Sequence, residues 1–192
     1  MPKLFSIRPS LAVRGRKFKG LRGFAGKPFH PPLTDIPVAA YILVMAFDIV
    51  SAVAGDDSTL ARDFFVSGTH VLVAGAVVAL PTALTGFWDW WRSTEPGTQA
   101  WRTANWHMAV MVFVTAVVIA DIVLRLSSWE DPVVPTSVLV LSIVAGVLVA
   151  YGSIYGGALV YEYGFNVETS GDHPAWHRSD VDVLHGRETP PA

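Results

Sequence analysis

Four residues in this chain have types that could do chemistry together: His30 and Asp35 in "HPPLTDIP", Asp89 in "FWDW" and His107 in "NWHM". An imidazole nitrogen binds metals, and two imidazoles could ligate haem iron from both faces while a carboxylate orients each ring. His30 and His107 are therefore candidate cofactor ligands, with Asp35 and Asp89 as their carboxylate partners. The same rings and carboxylates could instead take a divalent metal. Each residue also has a plainer use. Thr34 or Asp35 can cap a helix with Pro37 in its first turn, Asp89 can pair with Arg92, and His107 can hydrogen-bond across a bundle. His173 and His177 have the i, i+4 spacing of a metal-binding helix, but Pro174 lies between them and the composition suits a flexible acidic tail.

A second set, Asp48, His70, Asp121 and Arg125, lies inside strongly apolar stretches. Charges in such surroundings are costly unless paired, so these side chains are expected to turn inward toward one another.

The elements that must position both sets follow from hydropathy. With 52% of its 192 residues hydrophobic and a mean hydropathy of +0.42, the chain is too apolar for an ordinary soluble domain. A membrane-crossing helix needs roughly 20 mainly apolar residues, because each residue rises about 1.5 Å and the hydrocarbon layer is about 30 Å thick. Residues 36–54, 64–88, 106–126 and 136–160 qualify, joined by short connections. The expectation is an all-α integral membrane protein, an antiparallel four-helix transmembrane bundle spanning 30–167. A basic arm (1–29) precedes it and an acidic tail (168–192) follows.

Lys3, Arg8, Arg14, Arg16, Lys17, Lys19, Arg22 and Lys27 all come before the first acid, Asp35, which places the N-terminus on the cytoplasmic side. Four crossings return the C-terminus to that side. The loop with Arg92 and Arg102 is then inner, and the one with Asp56, Asp57 and Asp63 outer. Trp88, Trp90, Trp91, Trp101 and Trp106 bracket the inner loop, as headgroup-level aromatics do. Gly75 with Ala79, and Gly152 with Gly156, allow close helix contact. Ala52-Val53-Ala54 has the form of a signal-peptidase site, but the leader would far exceed the usual length of about 15 to 30 residues.

Depth can be counted along the helices. Asp48 lies about 18 Å above Ile36, and Asp121 and Arg125 about 21 and 27 Å above His107. With His70 near the top of the second span, they are expected to form one layer in the outer half, as a buried ion pair fixing helix register or as a proton or small-solute path. His30, Asp35, Asp89, Asn105, His107, Tyr161 and Glu162 make an inner layer.

Cysteine is absent, which excludes disulfides, thiolate metal sites and Cys-ligated clusters. There is no nucleophile–base motif, no phosphate-binding glycine loop and no nucleic-acid module. "HPPLTDIP" with "FDIV", then "ALPTALTGFWDW", "NWHMAV" leading to "DIVLR", and "GGALVYEYGFNV" resemble, in order and spacing, the blocks of the bacterial membrane family called domain of unknown function 2231. The form is similar to its actinobacterial branch, although many relatives carry a second histidine at the place of Asp35. The resemblance implies a four-helix domain of the bacterial inner membrane without assigned activity. In some relatives that domain precedes a Rieske-type iron–sulfur domain, which implies electron transfer. Lacking cysteine, this chain could serve only as the membrane partner of such a domain. One expectation is a membrane redox component holding b-type haem near its cytoplasmic face. A cofactor-free accessory or assembly subunit of a respiratory complex is the alternative, and a proton or solute path the third.

Overall fold

The computed structural model describes residues 20–22 and 28–165. The acidic tail with His173 and His177, and most of the basic arm, lie outside the described residues. Four helices make up nearly all of the rest: α1 (His30–Ala54), α2 (Thr59–Ser93), α3 (Gln99–Ser127) and α4 (Thr136–Tyr161). All four are long and apolar enough to cross a membrane. Even the shortest, α1 with 25 residues, is about 38 Å long at about 1.5 Å per residue.

The helices pack as a ring, α1 on α2, α2 on α3, α3 on α4 and α4 on α1. Short connections impose antiparallel neighbours, which is the expected bundle. Each helix buries one stripe, and Tyr41, Val44, Leu72, Val114, Val118 and Val149 meet in the centre. Outward-facing residues are apolar as well: Val77, Leu84, Phe113, Ile119 and Ile154 are all more than half exposed. A helix apolar on all sides suits a lipid environment rather than water. Small residues set the closest approaches. A Cβ built on Gly75 would stand 2.6 Å from the Cβ of Ala40, so only glycine allows α1 and α2 to meet there.

Local chemistry accounts for the polar groups this packing buries. Thr69, Thr85 and Ser153 return their hydroxyl protons to carbonyls one turn back, at 2.8, 2.8 and 2.7 Å. Pro37, inside α1, has no N–H to offer the carbonyl of Leu33. The hydroxyl of Thr82 on α2 stands 3.3 Å from that oxygen and 2.8 Å from its own Val78 carbonyl, so it bridges the gap.

Two expectations about boundaries need correction. The first helix begins at His30 rather than near Thr34, with Pro31 and Pro32 in its first turn, where the missing N–H groups would have had no helical partner anyway. Pro37 is therefore an interior residue and Asp35 is an exposed one, not a cap. The inner loop is also shorter than expected. Arg92 belongs to the last turn of α2 and Arg102 to the start of α3, which Thr98 caps by accepting the Trp101 N–H at 3.1 Å.

Candidate functional site

Two polar layers sit within the apolar bundle. In the outer one, Arg125 on α3 is completely buried, as are Asp121 one turn before it and Asp48 on α1. Its Nε donates to Asp121 Oδ1 at 2.9 Å, and Nη1 to Asp48 Oδ1 at 3.1 Å. Nη2 donates to Asp48 Oδ2 and, at 3.5 Å, to Asp121 Oδ2. Thr69 on α2 donates its own proton to Phe65 O and accepts from Nη1 at 3.4 Å. Every N–H of the guanidinium thus has an acceptor. Ser142 on α4 stands beside Asp48, so all four helices contribute. The buried Gly68 borders the cluster, where a Cβ would lie 3.4 Å from Asp48 Oδ1, in ordinary van der Waals contact.

The cluster carries one cation against two carboxylates. His70 takes no place in it. That ring is exposed, edge-on to Trp129 with centroids 5.7 Å apart. Its neighbour Thr69 faces inward instead, because successive helical residues point about 100° apart and the stripe Phe65, Thr69, Leu72 falls on the core side. Above this layer the buried Ser51 donates to Ala61 O at 2.8 Å and accepts the Val134 N–H at 3.1 Å, joining the starts of α2 and α4.

The second layer, toward the end of the bundle where α1 and α3 begin, holds the two histidines, each half-buried. His30 Nδ1 lies 2.9 Å from the carbonyl of Thr82 on α2, and His107 Nδ1 lies 2.9 Å from the carbonyl of Gly152 on α4. A carbonyl can only accept, so Nδ1 carries the proton in both rings. In a neutral imidazole, Nε2 then keeps its lone pair.

The carboxylates expected behind these rings are placed differently. Asp35 faces outward, and Asp89, 4% exposed, spends Oδ1 on the main-chain N–H of Leu21 at 2.8 Å rather than on an imidazole or Arg92. Main-chain carbonyls orient the imidazoles instead. The Asp89 bond holds residues of the arm against the inner end of the bundle, where Phe29 N also bonds Leu21 O at 3.1 Å. Asn105 accepts from Trp90 Nε1 at 2.8 Å and ties α2 to α3. Tyr161 and Glu162 are exposed.

Among the described residues, no group of three or more His, Cys, Asp or Glu side chains converges as a metal site would require. A divalent site made of both rings and the carboxylates is therefore not built here. What the two imidazoles offer is narrower: with Nδ1 engaged, Nε2 of each ring keeps a lone pair, and such nitrogens are the donors by which histidines bind metals and haem iron. Sequence reasoning missed Thr69 and Ser51, and it singled out Thr82 and Gly86 only as positions of the family resemblance, not as neighbours of His30. For Thr69 the signal was available, since it shares the buried helical stripe that His70 leaves.

No curated protein and no solved structure matches the chain. A family profile described as "Predicted membrane protein (DUF2231)" matches residues 26–169, which takes in all four helices and both polar layers. The chain belongs to this family of membrane proteins, domain of unknown function 2231.

Proposed function

We propose that this protein is an electron-transfer component of a bacterial inner membrane that holds b-type haem between His30 and His107. One observation supports this above the others: both imidazoles are fixed through Nδ1 to a carbonyl of the next helix, at 2.9 Å each, which leaves Nε2 of each ring as the available donor. Metal-binding histidines use this same arrangement, because a bond at one nitrogen sets both the tautomer and the direction of the other. Bound there, haem would supply one-electron exchange. The protein supplies the two ligands, the apolar surroundings and the fixed ring orientations.

In this reading the basic arm lies on the cytoplasmic side and places the histidines near that face, within reach of a Rieske-type or other respiratory-chain partner. The outer cluster has a structural role, because its guanidinium is saturated by its own neighbours and leaves no donor for a passing solute. That saturation also favours the second reading, a cofactor-free accessory subunit whose polar layers only fix helix register. Substitution separates the two. Protein purified from haem-replete cells should lose its haem absorbance on His107→Ala or His30→Ala while keeping its helical circular dichroism. Full absorbance in both variants would remove the two histidines as ligands.

A further inference from the structure

The buried residues of the two halves of the chain follow one pattern. At the offset that carries His30 onto His107, Ala40 falls on Val117, Tyr41 on Val118, Val44 on Asp121 and Asp48 on Arg125, and every one of these is buried. At the offset that carries Gly86 onto Gly156, Gly75 falls on Ala145, Thr82 on Gly152 and Asp89 on Leu159, again all buried. The burial pattern of the hairpin α1–α2 thus recurs in α3–α4. Both first helices run the same way, so the repeats are related by a two-fold pseudo-axis along the bundle.

The histidine contacts obey the same relation. In each half, Nδ1 bonds the carbonyl four residues before a glycine: Thr82 before Gly86, and Gly152 before Gly156. In each half the ring also lies against that glycine. A Cβ at Gly86 would come within 2.6 Å of His30 Cε1 and 3.0 Å of both ring nitrogens, and one at Gly156 within 3.1 Å of His107 Cε1. The repeated feature is a cradle, a carbonyl and a bare Cα one turn apart, that fixes an imidazole in both tautomer and direction. Helix packing alone does not require this coincidence, since the outer-layer mates Asp48 and Arg125 carry opposite charges rather than matching side chains.

We propose that Gly86 and Gly156 are matched positioning residues, which hold the His30 and His107 rings so that Nε2 of each is presented to one shared ligand. This rests on the haem reading for the identity of the ligand, but not for the cradles themselves. A methyl group at Gly86 must push the His30 ring off the Thr82 carbonyl, since the space it needs is filled by the ring. At Gly156 the displacement is a few tenths of an ångström, so the effect there should be smaller.

The test compares Gly86→Ala and Gly156→Ala with Gly157→Ala, where an added Cβ meets only Tyr161 Cδ2 at 3.9 Å. On the haem-loaded protein, Gly86→Ala should convert a low-spin absorption and EPR spectrum toward high spin. It should also weaken haem retention by about 10- to 100-fold, as loss of an orienting partner does. Gly156→Ala should do the same to a lesser degree, and Gly157→Ala should match the parent. Histidine-selective 15N spectra of the haem-free protein in detergent give a second readout, in which Gly86→Ala shifts the His30 nitrogens and Gly156→Ala those of His107. If Gly86→Ala does not fold, Gly156→Ala carries both measurements. Parent-like spin state and parent-like 15N spectra in the alanine variants would overturn the proposal. A protein that takes up no haem, yet shows the 15N shifts, would overturn the haem reading and leave the cradles standing.

Discussion

Removing Arg125 should be the most damaging single change in the outer layer. Arg125→Ala deletes the cation that, among the described residues, pairs with both Asp48 and Asp121, each of them fully buried. Breaking a buried pair by removing one partner costs about 3–5 kcal/mol, because a charge is left without compensation. At about 2–4 °C per kcal/mol for a chain of this size, the unfolding midpoint in detergent should fall by about 6–20 °C. Asp121→Asn is the matched comparison. It removes the surplus carboxylate and leaves Arg125 paired one-to-one with Asp48, while the Asn oxygen can still accept from Nε, now 2.9 Å from Asp121 Oδ1. Its cost should be under about 1.5 kcal/mol, the net worth of a typical hydrogen bond. Thermal unfolding followed by helical circular dichroism in one detergent reads both variants. Equal midpoints for Arg125→Ala and the parent, or a larger loss in Asp121→Asn than in Arg125→Ala, would refute the charge accounting.

Three further outcomes follow from the same structure. Ser51→Ala leaves the buried Val134 N–H and Ala61 carbonyl without their bridge and should cost about 1–3 kcal/mol in the same unfolding assay. Gly75→Leu forces side-chain atoms into the place of Ala40 and Tyr41, and should lower stability by about 1–3 kcal/mol or more through overpacking. Leu21→Pro removes the N–H that Asp89 accepts, and limited proteolysis should then cut the arm near residue 21 faster than in the parent, with the bundle itself resistant.

The spans were legible because about 20 apolar residues in a row have few other uses, and Asp48, Asp121 and Arg125 because counting 1.5 Å per residue puts them at similar depth. Depth counting is blind to direction around the helix, which is why His70 was placed in a layer that Thr69 occupies. The buried spacing Phe65, Thr69, Leu72 held the missing information. The start of α1 lies earlier than the sequence suggests because Thr34 and Asp35 with Pro37 look like a cap and first turn, whereas Pro31 and Pro32 already occupy a first turn at no cost in hydrogen bonds. The partners of the histidines could not be read at all. They are main-chain carbonyls, which have no signature in the sequence, and the glycines beside them look like any close-packing pair. The sequence pointed to Asp35 and Asp89 because only side chains are visible in it. It also could not reveal that Asp89 is engaged with Leu21, a contact to a segment before the first helix.

The most direct test of the central claim is the visible absorption spectrum of the detergent-purified protein from haem-replete cells, first oxidised in air and then reduced with dithionite, with iron measured on the same sample. A Soret band that sharpens on reduction, with one iron per chain and both features lost together in the double variant His30→Ala, His107→Ala, is the predicted result. A colourless and iron-free preparation that remains fully helical would contradict it and leave the bundle as a cofactor-free membrane subunit.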